Sequence, residues 1–590
     1  MLAFVLVLAL MPALAAGQSP PRPANPGRWT ATKPWGATAV HLSLLRGDLT
    51  PHRRVHSQVL WWDEPTPSFQ CGLWAWKPTT DDCASSLESN LTALSVPAPP
   101  RNIFCGAHTA LADGNLFVVG GHENVTIGTT QALIFNRATR TWAVVDSMSQ
   151  RRYYATATTL PDGRVLASSG TQYQHLVFFG GRTDGDTLRN SVDRFQLLSK
   201  GAWDLPVNPR QGQVGTSWPE KREEHSLASV PRGPGFVFGG MDASGRPLND
   251  AWRLDRTDSD TAQTYAWAKL VVSGTVPARR LHAAVARTEI TSHPAFPQVM
   301  YVFGGRGQTG PLGDLQRLRW ESPWGWTWTD LTDMTQGAPP APRYGHAAAY
   351  VDSLMVLCGG KDAGGQLADS LWVLSFRTSP PSWIRPTIIS ATRPSARYLH
   401  ALANDSELRT RGGSEWDRFF LFGGRQAQEP DSLSNELWNL YLSRDGQSAA
   451  WFRLSPTGTT PAPRRQATIA YERNRVLIFG GDTGEAPDPV VWSACPDTEQ
   501  YVPPSWVPLA SSSLSLRGHT AFYDARDLVA RVPETYNPVA NHWSRLDGAP
   551  KLQALYPFTF VDTTGHRVFN AGPTSNGYQT YRLDLDAPGW

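Results

Sequence analysis

The sequence lacks the short signatures that mark many enzyme classes. It has no P-loop, no His-Glu-x-x-His, no Cys-x-x-Cys and no Gly-x-Ser-x-Gly elbow. Each absence removes one common chemistry, from nucleotide hydrolysis to serine acyl transfer. An excess of charge of one sign is also missing. Lys and Arg number 54 against 51 Asp and Glu, a formal net charge of +3, with no Lys/Arg run and no basic stripe. That argues against nucleic acid as the main partner. No amphipathic helix is legible. Apart from the N-terminus, no segment is long and apolar enough to span a membrane, so no membrane partner is expected.

The one apolar run, Leu2 to Ala16, ends in Ala13-Leu14-Ala15, a small-x-small cleavage pattern. It reads as a secretory signal peptide over 1–16, which makes the expected location extracellular. A Pro-rich linker follows over 17–33. The five cysteines are compatible with export. Cys71 and Cys83 flank a Trp-rich loop and are candidates to pair; Cys105, Cys358 and Cys495 remain, and an odd count leaves at least one thiol with another fate. Asn90, Asn124 and Asn404 begin glycosylation sequons.

What the chain has in quantity is glycine in pairs. Gly120-Gly121, Gly180-Gly181, Gly239-Gly240, Gly304-Gly305, Gly359-Gly360, Gly423-Gly424 and Gly480-Gly481 each follow an apolar strand, at intervals of 60, 59, 65, 55, 64 and 57 residues. Such a period means a repeated folding unit. Within it an Arg leads, often three residues before a His: Arg222 and His225, Arg279 and His282, Arg343 and His346, Arg397 and His400. After Gly-Gly comes an acid close before a Trp: Asp250 and Trp252, Asp369 and Trp372, Glu436 and Trp438. Short apolar runs between Gly, Pro and Asp turns are strands. A four-stranded unit cannot bury both faces alone, so units stack around an axis, with the 24 Trp filling the gaps. A catalytic group is not reused at every repeat, so the Arg and His are expected to tie strands and loops together. Gly305-Arg-Gly307-Gln-Thr-Gly310 spells a dinucleotide fingerprint, but Pro311 follows instead of a helix, so it reads as a repeat loop.

The order Arg-x-x-His, Phe-Gly-Gly, Asp-x-Trp resembles kelch repeats over about 175–510, which implies β-propeller blades. Cys358 stands where Phe is usual, and Ala467 where His is usual. The expected fold class is all-β: a central kelch ring of six or seven blades over 171–510, with further blades from 34–170 and 511–590.

Those flanks resemble the propeller of galactose oxidase and glyoxal oxidase, secreted copper-radical enzymes. The resemblance rests on Asn102-Ile-Phe-Cys-Gly-Ala-His108 and Met148-Ser-Gln-Arg-Arg-Tyr-Tyr154. It implies a thioether between Cys105 and Tyr154, with Tyr154 as a copper ligand. Tetragonal nitrogen and oxygen ligation suits copper(II). The family's Tyr-His pair is absent from this sequence, and no domain is expected after the last blade-like segment before Trp590. The leading expectation is therefore a secreted scaffold that binds a protein or carbohydrate through propeller loops. The alternative is a copper radical oxidase of alcohols, aldehydes or sugars that releases hydrogen peroxide.

Overall fold

The computed structural model describes strand segments between 41 and 94 and most of 96–587; the main stretches outside it there are 197–201, 204–217, 259–262, 281–284, 289–297, 406–414, 427–431, 495–504, 525–531 and 552–557. The expected signal peptide and linker, Cys83, Cys495, Asn90, Arg279 and His282 lie outside the described residues. Among those residues the sole helical element is one 3-10 turn, Thr332–Met334. The all-β expectation holds.

The chain divides into two compact units, 1–98 and 99–590. The first carries one antiparallel sheet of His41–Leu45, Gln58–Trp62, Cys71–Trp76 and Leu91–Leu94.

In the second unit, the strand Thr520–Asp524 is the innermost of a sheet whose other strands are His175–Phe179, Val192–Gln196 and Ala202–Trp203. This is the first ring sheet. Five more follow, with inner strands Ser226–Ser229, Val285–Thr288, Ala347–Val351, Ala401–Asn404 and Thr468–Glu472. Each inner strand contacts the next, and Thr468–Glu472 contacts Thr520–Asp524, which in turn contacts Ser226–Ser229. The inner strands thus form a closed circle.

The side-chain packing closes the same circle. Leu354, Val356 and Val373 of the fourth sheet pack on Phe419, Trp438 and Trp451 of the fifth. Phe420 and Phe422 pack on Ile478, Trp492 and Trp506 of the sixth, and Phe479 of the sixth meets Phe178 and Phe195 of the first. Comparable clusters join the first to the second, the second to the third and the third to the fourth. Every such aromatic contributes about 1.5–3 kcal/mol by burial. No sheet could bury both faces without its neighbours.

A second set of sheets lies outside the circle. The first arc sheet holds Ala107–Ala110, Leu116–Val119, Ala132–Asn136 and Thr141–Val145. The second combines Thr156–Thr159 and Val165–Ser168 with Glu534–Asn537 and His542–Arg545, pairing Leu166 with Thr535. The third holds Phe558–Val561, Arg567–Thr574 and Gly577–Asp584. The whole circle is inserted between two adjacent strands of the second arc sheet.

The repeat residues build the joints. The Arg222 guanidinium donates to the Gly239 carbonyl at 2.9 Å and to both Asp250 oxygens at 2.7 and 2.8 Å, while the Trp252 indole donates to Asp250 at 2.5 Å. Its backbone carbonyl accepts from Gly181 N of the preceding sheet at 2.8 Å. Arg397 repeats this with Gly423, Glu436 and Gly360, and Arg464 with Gly480, Asp488 and Gly424. A guanidinium removed from water needs such partners. The structural expectation for the repeat arginines is met.

Two details depart from the spacing. In the third ring sheet Arg280 makes the clasp: it binds the Gly304 carbonyl at 3.0 Å and Asp314 at 2.7 Å. Its Nε reaches Ala278 O at 2.9 Å, the same two-residue loop that Arg222 makes with Glu220. In the fourth sheet Asp369 takes no part. It pairs at the surface with Arg393, and Ser370 Oγ accepts from Arg343 at 3.2 Å. Ser370 sits two residues before Trp372, where the second and fifth sheets place the acid; Asp369 is one residue too early.

Candidate functional site

The loops that lead into the inner strands converge at one end of the circle. The residue after each lead position and its neighbour turn the chain sharply. Glu224, Gly345, Leu399, Gln466 and Gly518 all have left-handed backbone, with φ of 56°, 65°, 57°, 56° and 61°. Their amides bond around the axis: Leu399 N to Gly345 O at 2.7 Å, Gln466 N to Leu399 O at 2.9 Å, and Glu224 N to Gly518 O at 2.7 Å. Gln466 Nε2 also donates to Glu224 Oε1 at 2.7 Å.

Just inside stand the repeat histidines. His225, His346, His400 and His519 line an axial cavity of about 210 Å³. Each reaches back to the preceding sheet. Phe179 meets His225 edge-on at 5.1 Å, Phe303 meets His346 at 5.7 Å, and Phe479 meets His519 at 5.3 Å. His225 Nε2 pairs with Thr520 Oγ1 at 2.6 Å and His519 Nε2 with Thr468 Oγ1 at 3.1 Å. The glycine pairs make this room. A Cβ on Gly359 would lie 2.5 Å from His400 Cε1, and one on Gly424 would lie 2.7 Å from His400 Cβ. Burial holds the His400 and His519 imidazoles down to about 3, so both are neutral. His225 and His519 hydrogen-bond to neighbouring strands, as expected of the repeat histidines. The cavity is smaller than the roughly 300–1,000 Å³ typical of small-molecule sites.

The rim is built from two slots per repeat: the residue after the lead position and the residue after Gly-Gly. These pair in short bridges, Tyr344 with Lys361, Tyr398 with Arg425, Arg465 with Asp482 and Arg517 with Arg182. Much of the rim is neutralised internally. Arg182 pairs with Glu223 at 2.6 Å, Arg465 with Asp482 at 2.6 Å, and Arg517 with Asp186 at 3.3 Å. One sector differs. Arg306 lies over the Tyr344 ring at 5.5 Å, Lys361 over the Tyr398 ring at 5.6 Å, and the two tyrosines meet edge-on at 6.2 Å. Among the described residues, Arg306 and Lys361 have no carboxylate in salt-bridge range. This sector was missed in the sequence because its residues occupy variable slots inside a fixed repeat. Reading only those slots would have displayed it.

Cys105 and Tyr154 occupy the same sharp corner in the arc. Their φ values are 55° and 61°, and Tyr154 N donates to Cys105 O at 3.1 Å. The structure therefore brings the two residues together as neighbouring repeat corners. It also brings in Tyr153, which the sequence reading passed over. The Tyr153 ring lies 4.0 Å from that of Tyr154, and its hydroxyl donates to the Tyr154 hydroxyl at 3.3 Å. Burial first, then the Tyr154 hydrogen bond and the Cys105 thiol, push the Tyr153 phenol upward. Among the described residues no group of three or more His, Cys, Asp or Glu is placed to hold a metal ion. One thiol and two phenols are not by themselves the tetragonal nitrogen and oxygen set that copper(II) takes.

Of the sequons, Asn404 is the one whose side chain is described. Its amide donates to the Tyr350 carbonyl at 3.0 Å from an inner strand.

The KLHDC2/KLHL20/DRC7 Kelch-repeats domain matches residues 106–292 and 260–418. The chain belongs to the kelch-repeat family. Similar proteins include the alpha chain of the flagellar outer arm dynein of Chlamydomonas reinhardtii, 29% identical over 48% of this chain and 6% of that one. Adagio-like protein 1 of Oryza sativa subsp. japonica is 28% identical over 42% of this chain and 36% of its own length. Kelch domain-containing protein 3 of Rattus norvegicus is 26% identical over 53% of this chain and 76% of its own. The chain thus spans well under two thirds of the first two relatives.

Proposed function

We propose that this kelch protein is a scaffold built on a six-bladed ring, inserted in a second, partial propeller, and that the ring binds an acidic segment of a protein partner. The carrying observation is the rim sector in which Arg306 and Lys361 stack on Tyr344 and Tyr398 with no carboxylate in range among the described residues. Stacked cations are pre-oriented, and a partner carboxylate meets them without first breaking an ion pair. The paired rest of the rim gives no such welcome. Charge of this kind sets on-rate and choice of partner more than raw affinity. The Leu2–Ala16 run supports delivery outside the cell.

The test is a peptide array probed with the full chain. Acidic peptides should be retained at low salt and released as salt rises. The double variant Arg306→Glu, Lys361→Glu should lose that retention, and unchanged retention would remove the reading.

A second reading rests on the Cys105, Tyr153 and Tyr154 cluster. It keeps the resemblance to the copper-radical oxidases as a proposal about ancestry and about a thioether at Cys105. Peptide mass spectrometry after exposure to copper and air tests it. A joined peptide two hydrogens lighter would support it; separate peptides would not.

A further inference from the structure

The fifth ring sheet has long strands. Trp416–Phe422, Leu437–Ser443 and Ser448–Leu454 carry seven residues each. Alternation puts Trp438, Leu440 and Leu442 on one face, where they fill the cluster shared with the fourth sheet. The other face carries Leu437, Asn439 and Tyr441. Leu437 packs against the sixth sheet, but Asn439 and Tyr441 reach past it.

There Ile389, Trp416, Asn439, Tyr441, Ala450 and Phe452 line a groove of about 490 Å³. Ile389 is 60% exposed and Phe452 53% exposed. Tyr441 and Phe452 meet edge-on at 5.7 Å. In this apolar row stands one amide. Asn439 pairs in register with Phe420 on one side and Phe452 on the other, and only 5% of it is exposed. Its Oδ1 is buried and finds no donor among the described residues. A buried acceptor without a donor opposes folding unless a partner supplies one.

We infer that this groove is a docking site for the indole of a tryptophan on a protein partner. The ring lies against Trp416, Tyr441 and Phe452, and the indole N–H donates to Asn439 Oδ1. The chemistry selects this side chain. Indole has a donor and no acceptor, which matches an oxygen that only accepts. Phenylalanine would leave the amide unanswered. Tyrosine would bring a second lone pair into an apolar groove. The volume holds a bicyclic ring, and the groove crosses three strands of the sheet and is flanked by the exposed Ile389 and Phe452. Such a groove suits an aromatic anchor of a protein interface. It is separate from the axial rim.

The experiment uses the full chain and two compounds, N-acetyl-tryptophanamide and its N1-methylindole counterpart, followed by saturation-transfer NMR. The N–H compound should bind about fivefold more tightly, the worth of one neutral hydrogen bond. Asn439→Leu should erase that difference while both rings still bind. Phe452→Ala and Ile389→Ser, at exposed positions that the core does not need, should weaken both compounds. Peptides selected from a display library on the wild type should carry tryptophan and lose binding to Phe452→Ala, with the Arg306→Glu, Lys361→Glu protein retaining them. Equal affinity for the two compounds overturns the proposal. So does silence at millimolar concentration, the result expected if ordered water alone caps Asn439. Compounds that bind while selected peptides ignore the groove variants overturn the protein source.

Discussion

The Sγ of Cys358 lies 3.2 Å from Nε2 of His400, at a joint where three other sheets set a phenylalanine edge against the histidine. Replacing the ring by a thiol exchanges an aromatic contact for a hydrogen bond. The pair resembles a nucleophile and its base only on paper. Burial pushes the Cys358 thiol up to about 12 and the His400 imidazole down to about 3, so neither is charged near neutrality.

Cys358 should therefore resist thiol reagents in the folded protein. At pH 8 we expect labelling of Cys358 only when denaturant is added, read by peptide mass spectrometry. Rapid labelling of the native protein would show a thiolate that this geometry does not produce.

The same burial predicts a pH dependence. His400 and His519 take up protons near 6.5 when unfolded and near 3 when folded. Above about pH 6.5 both states are neutral and the two groups contribute nothing. As pH falls from 6.5 toward 3 the unfolded state gains protons first, and stability drops by up to about 1.4 kcal/mol per pH unit for each histidine. Urea midpoints between pH 7 and 4.5 should fall, and the slope should be shallower in His519→Gln. A flat profile would mean that the imidazoles are not held neutral.

Arg152 and Glu534 are both fully buried and bonded at 3.0 Å. Glu534 also accepts from Ser149 N at 2.7 Å and Gln150 N at 3.3 Å. Glu534→Ala leaves a buried cation unpaired, and about 3–5 kcal/mol of stability should be lost. Breaking the half-exposed Arg164–Asp162 pair with Asp162→Ala should cost less than about 1 kcal/mol. Denaturant unfolding of both variants makes the comparison. Similar losses would contradict the burial.

Arg343 is the repeat arginine whose clasp has a serine in place of a carboxylate, and burial holds its guanidinium below the usual arginine range. Ser370→Asp should restore the clasp of the other sheets and add about 1 kcal/mol. Asp250→Asn should subtract about 2 kcal/mol through Arg222. A loss in Ser370→Asp would show that the fourth sheet is adapted to its serine.

The repeat was legible because it is local. Strand, Gly-Gly, acid and Trp lie within one period, and the need for glycine follows from the backbone carbonyls and, at several pairs, the histidines that crowd it. Local spacing was also incomplete: Arg280, which the Arg-x-x-His count did not single out, makes a clasp. Cys358 was visible as an exception, while its partner was not, because His400 comes from the next sheet. The split of the second arc sheet was beyond any periodicity argument: Leu166 and Thr535 pair across the length of the whole ring. Arg306 and Lys361 stand in the slot after Gly-Gly and could have been read there. Asn439 has no repeat signature: it stands out because its Oδ1 finds no donor among the described residues, and a sequence does not display that.

The insertion of the circle into one sheet also sets a timetable. Arg152 is made 382 residues before the glutamate that neutralises it. At about 5–20 residues per second, that is roughly 20 to 80 s of synthesis. Throughout that interval the half-sheet of Thr156–Ser168 has an open edge and a cation with no counter-charge. The arc, although its first strands emerge earlier, is the last part of the molecule that can be finished.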